Sequence, residues 1–195
     1  MQLKKGTIVL LGVIALAIIW CVSGYNSLVK LDENVTSKWG NVETQYQRRA
    51  DLIPNLVEVV KGYSKHEKET LEAVISARSK ATSVTIDPTN ITEADLAKFQ
   101  EVQNGLSGAL KSLLAVAESY PDLKAESRYA DLQAQLEGTE NRIAEARREF
   151  NESAKEYNMK LRSFPNNILG GFFGFSTRPY FAAEAGAEKA PKVQF

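Results

Sequence analysis

The sequence predicts an all-α protein: an N-terminal transmembrane helix followed by an antiparallel, up-and-down four-helix bundle. Three observations carry that expectation. Gly6 to Gly24, GTIVLLGVIALAIIWCVSG, has no charged side chain and lacks the polar stripe of a soluble core helix. Beyond it, apolar residues recur at alternating steps of three and four through four successive stretches, as on the buried seams of packed helices. Outside the anchor, Pro and Gly gather at a few points, which marks helix ends. Strand signals are nearly absent.

The apolar stretch comes first. At about 1.5 Å per residue, its roughly 19 residues cover about the 30 Å of a bilayer core. Lys4 and Lys5 precede it, and Val22-Ser23-Gly24 resembles a weak cleavage site, so a removed secretory signal is one alternative. A lipoprotein anchor at Cys21 is another. Trp20 argues against both, and the run is long for a signal. An uncleaved signal anchor is the favoured reading. Lys4, Lys5 and the amino terminus flank one side, whereas Lys30 is soon followed by Asp32 and Glu33. The positive-inside rule then puts the N-terminus in the cytoplasm and the bundle on the extracytoplasmic side, by a margin of about two charges.

The first bundle helix is expected from about Tyr25 to Ala50, continuous with the anchor, with Leu28, Leu31, Val35, Trp39, Val42, Tyr46 and Arg49 on its seam. Pro54 in ADLIPN lacks a backbone donor, so the helix is expected to turn or kink there. A turn would send the last helix back to the membrane; a kink in one long helix would send it away. The second helix is expected to reach Ala81 through Leu56, Val60, Tyr63, Leu71, Val74 and Ala77, with KHEKE as an outer face. TSVTIDPTNITEADL reads as a loop, and Thr92 with Asp95 as a capping box for the third helix. Leu96, Phe99, Val102, Leu106, Leu110, Leu113, Val116 and Tyr120 form that helix's seam. Gly105 and Gly108 lie near it, where close backbone packing would offset about 0.5–1 kcal/mol of lost helix propensity per glycine. Tyr120-Pro121-Asp122 is expected to break the helix, because Pro121 disfavours helical geometry for the residue before it. The fourth helix, about Leu123 to Arg162, carries Leu132, Leu136, Thr139, Ile143, Ala146, Phe150, Ala154, Tyr157 and Leu161.

This gives three segments: residues 1–24 as basic start and anchor, 25–164 as bundle, and 165–195 as an apolar membrane-proximal segment with a flexible C-terminal tail. In FPNNILGGFFGF, the residues Ile168, Leu169, Phe172, Phe173 and Phe175 form an apolar run too short to span a bilayer. It suits a membrane interface or a subunit contact.

Composition narrows the function. Basic and acidic residues number 24 each, which is not the footprint of a nucleic-acid binder. The single Cys lies in the anchor, so no intrachain disulfide forms. His66 is the only histidine and sits in the charged KHEKE run, so neither a di-iron bundle nor a Ser–His pairing can be assembled. No catalytic residue, metal or cofactor is expected. The one polar cluster is LEGTENRIAEARREF, where Glu137, Glu140, Asn141 and Arg142 would face Arg48 and Arg49 across antiparallel helices. The reading favoured for it is a structural polar network fixing register; the other is a polar partner site.

The strings QYQRRADLIPNLVEVVKGY, HEKETLEAV, YPDLKA, LQAQLEGTENRIAEARREFN and FPNNILGGFFGF occur in that order, and with them the chain resembles the LemA family over nearly its whole length. The resemblance implies a single-pass bacterial membrane protein with a helical bundle, and supplies no catalytic residue. The expected role is a non-enzymatic membrane-anchored scaffold. Its partners would be the lipid bilayer, further copies of itself and other cell-envelope proteins. The alternative is a lipid-interacting protein that shapes or senses membrane through the 165–175 segment.

Overall fold

The structure, a computed structural model, describes residues 5–63 and 67–182, which are helix and loop with no strand. Its helices are α1 (Lys5–Tyr63), α2 (Lys68–Ser83), α3 (Glu93–Ala117), α4 (Pro121–Lys124), α5 (Ser127–Arg162) and α6 (Asn166–Phe173). His66 and residues 183–195 lie outside the described residues.

α1 is the spine. Among the described residues, its first third is the one helix segment long and apolar enough to cross a membrane, and no part of that apolar window is covered by the other described residues. From Leu28 onward its seam is buried. α5 packs along it most extensively, and α3 packs chiefly on α2. Lys38 pairs with Glu149, Arg49 with Glu140, and Tyr63 with Glu126. Numbers rise along α1 as they fall along α5, so the two are antiparallel. α2 runs back alongside α1, with Arg78 reaching Ala50. α3 turns outward again, from Phe99 against Trp39 to Tyr120 against Glu67. α5 therefore ends beside the apolar N-terminal segment.

Of the two alternatives at Pro54, the structure has the one long helix and not the turn, yet the last helix still returns toward the N-terminal segment. A proline removes the bond to the carbonyl four residues earlier, here that of Ala50. The Arg78 Nε–H donates to that carbonyl oxygen at 2.7 Å. α2 thus supplies the hydrogen bond that α1 cannot make, and α1 continues nine residues further, to Tyr63. α1 ends at Tyr63, and α2, which begins at Lys68, runs in the opposite direction. This moves residues 51–63 from the second helix to the first and leaves α2 only 16 residues long.

Other boundaries follow local chemistry. Thr92 and Asp95 form the reciprocal capping box that starts α3. Pro121 opens the short α4, so the long return helix begins at Ser127 rather than Leu123. Gly105 and Gly108 do not serve close backbone packing: a Cβ at either would meet no atom within 4 Å. Gly108 instead borders an open groove of about 700 Å³ between α3 and α5, lined also by Ser107, Leu110, Leu114 and Leu136.

The core consists of two apolar clusters in series. The one nearer the apolar N-terminal segment gathers Leu28, Val35, Trp39, Phe99, Phe150 and Tyr157. The distal one gathers Ile53, Leu56, Val60, Leu106, Leu113 and Leu136. Trp39 meets Phe99 and Phe150 edge to face, at 5.2 and 5.7 Å between ring centroids, a favoured aromatic geometry.

Candidate functional site

Arg49 stands where the two clusters meet. The α1 seam puts it where an apolar side chain would sit, and it is only 1% exposed. Its Nη1 donates to Ser107 Oγ and to Glu140 Oε1, each at 2.8 Å. Its Nη2 donates to Gln103 Oε1 at 2.7 Å and to the Gln103 carbonyl at 3.2 Å. The guanidinium lies 5.0 Å from the centroid of the Tyr46 ring, within cation–π range. Gln103, itself buried, passes an amide hydrogen to the Ala81 carbonyl of α2 at 3.3 Å. One layer thus joins α1, α2, α3 and α5. Burial pushes the Tyr46 hydroxyl above its usual range, partly opposed by Arg147 and Arg49. Burial likewise raises the neighbouring Glu43.

Of the six residues expected in this cluster, the structure brings Arg49 and Glu140 together. Arg48, Glu137, Asn141 and Arg142 are exposed. Gln103 and Ser107 were missed. Gln103 had a legible signal, since it lies four residues after Phe99 and three before Leu106 on the α3 seam. Four of the five guanidinium N–H groups are occupied by the protein itself. A layer so engaged ties helices together and leaves little to offer a substrate. Among the described residues no group of three His, Cys, Asp or Glu is placed to hold a metal ion.

A second polar layout binds the segment after α6. Residues 176–182, expected within a flexible tail, are extended and packed along α5. Asn158 accepts the Arg178 backbone N–H and donates to the Arg178 carbonyl, both at 2.8 Å. Asn151, two helical turns earlier, does the same for Phe181, at 2.8 and 3.2 Å. Phe181 fills the core between Trp39 and Phe150 and lies under Arg147. Arg178 is buried and sends Nε and Nη2 to Asp32 of α1, both at 2.8 Å. Tyr157 donates to the Ser176 carbonyl at 2.9 Å; burial first, then Asp32, pushes its hydroxyl up to about 12. The strap carries no helical period, so periodicity gave no sign of it.

Between α5 and this strap lies α6. Leu169 and Gly170 are buried against Gly24 and Leu161, and Phe173 and Phe175 meet the Tyr25 ring at 4.9 and 5.7 Å. Ile168 and Phe172 point outward, Phe173 is half exposed, and Phe175 is partly buried against the core. The apolar run therefore divides between two faces.

A model of the LemA family matches residues 38–195. Magnetosome protein MamQ 1 of Paramagnetospirillum magneticum and magnetosome protein MamQ of Magnetospirillum gryphiswaldense are each 27% identical to this chain, over 80% of it and 64% of their own length. Protein LemA of Metamycoplasma hominis is 25% identical, over 74% of this chain and 62% of its own length. The chain thus spans less than two thirds of the length of these curated relatives.

Proposed function

The chain belongs to the LemA family, and we propose that it is a non-enzymatic, membrane-anchored helical scaffold that self-associates and docks other cell-envelope proteins. The observation that carries this reading is the continuity of α1. One uninterrupted helix forms both the apolar segment and the spine of the folded part. Whatever binds the folded part is thereby held at a fixed place on the membrane. In this proposal α1, α2, α3 and α5 act as an up-and-down four-helix bundle on the extracytoplasmic side, with the N-terminus in the cytoplasm. The Arg49 layer supports a structural role for the main buried polar cluster, because four of the five guanidinium donors are engaged by neighbouring helices. The α3–α5 groove, with Leu110, Leu114 and Leu136 in its lining, is where a partner helix would be received.

The test is the mass of the full-length protein in mild detergent by light scattering, with crosslinking in the native envelope. A defined assembly, or a reproducible crosslinked partner, supports the scaffold. A strict monomer that recovers no partner refutes it. A second reading, a protein that senses or shapes lipid through residues 165–175, is favoured by the outward face of α6 beside the anchor.

A further inference from the structure

We propose that Phe164, Ile168 and Phe172 lie in the lipid interface of the same bilayer that α1 crosses, so that the folded part rests on the membrane through α6. The inference rests on the membrane placement of α1 and deepens the lipid reading by naming the residues and their surface.

Ile168 and Phe172 lie four residues apart in α6 and so share one face of that helix, and Phe164 stands in the turn just before it. They are 80%, 63% and 82% exposed, among the most exposed large apolar side chains outside the anchor. Nothing in the fold covers them, yet the opposite side of the same helix is closed. A Cβ on Gly170 would approach Leu161 Cδ1 to 2.3 Å, and one on Gly24 would approach Leu169 Cδ1 to 2.9 Å. α6 is therefore seated hard against α1 and α5 with its apolar edge turned outward.

Height decides the occupant. α6 meets α1 at Gly24 and Tyr25. Gly24 ends the apolar stretch whose length matches a bilayer core, and Tyr25 has the amphipathic ring found at membrane–water boundaries. The apolar edge thus continues the exposed apolar surface of the anchor, at the level where hydrocarbon gives way to headgroups. A short helix with one apolar face suits that boundary. Ile75 of α2 is also exposed but stands alone, away from the anchor, and single exposed apolar residues are ordinary.

The experiment uses the full chain in vesicles of phosphatidylcholine and phosphatidylglycerol. Cys21 is replaced by Ser, and spin labels are placed singly through Ile168→Cys, Phe172→Cys, Ile14→Cys and Ile75→Cys. Collision with dissolved oxygen is compared with collision with a water-soluble nickel chelate. The expected result is chelate collision at 168 and 172 several-fold below that at 75, with 14 in lipid. Labels at 168 and 172 that match 75 while 14 stays in lipid would overturn the proposal alone. A water-exposed label at 14 would overturn the membrane placement itself. Spin–spin broadening at 172 would show a second copy covering this face and would also overturn the proposal.

Discussion

Removing either end of the Arg49–Glu140 pair should not cost the same. Arg49 is 2% exposed at its side chain and Glu140 is 47% exposed. Glu140→Ala leaves a buried cation without its counter-charge. A pair at about 4 Å is worth about 4 kcal/mol at an effective dielectric of about 20. Glu140 is half in water, so roughly half of that is screened. The expected loss is about 2–3 kcal/mol, toward the lower end of what breaking a buried pair costs. Arg49→Met removes the charge instead. Glu140 and Ser107 can turn to solvent, and the thioether bridges the two apolar clusters. What remains is the buried Gln103 amide oxygen, unpaired at about 1–3 kcal/mol and offset by about 1.5–3 kcal/mol of apolar burial. The net change should lie between about 1.5 kcal/mol of loss and about 2 kcal/mol of gain by these figures. Urea unfolding of full-length protein in detergent, followed by circular dichroism, measures both. If Arg49→Met costs more than Glu140→Ala, the argument that buried charge dominates this layer is wrong.

Arg78→Met should destabilise by about 1–3 kcal/mol, because it orphans the Ala50 carbonyl beside Pro54. Adding Pro54→Ala should recover most of that loss by restoring the missing donor, as read from the same unfolding curves; absence of rescue would disprove the compensation. Tyr157 gives a pH test. Its hydroxyl titrates near 12 when folded, against about 10 when unfolded. Between those values the unfolded chain releases a proton that the folded chain keeps, so stability falls as pH rises from about 10 to 12. In Tyr157→Phe that slope should be shallower over the same window, by thermal unfolding at stepped pH.

Much of the fold was legible because helices advertise themselves by period. The return helix shows its whole seam, from Leu132 to Leu161, and every residue of it is buried. Thr92 and Asp95 were equally plain, since a capping box is a local device. Pro54 left turn and kink undecided because its compensation comes from Arg78, 24 residues later, and no local rule sees that distance. The candidate site was half visible for the same reason. A charged residue on an apolar seam flagged Arg49, while Ser107 looked like any surface serine. Arg178 and Phe181 belong to an extended strap whose partners, Asn151 and Asn158, lie on another element.

The unbroken α1 also makes the protein a lever. From Gly24 to Tyr63 it extends about 58 Å at 1.5 Å per residue. If the membrane end leaned by the roughly 20° typical of transmembrane helices, the far tip would swing sideways by about 20 Å. Small rotations at the bilayer would become large displacements where α3 meets α4. Conversely, a load applied at that tip would act on the anchor as torque.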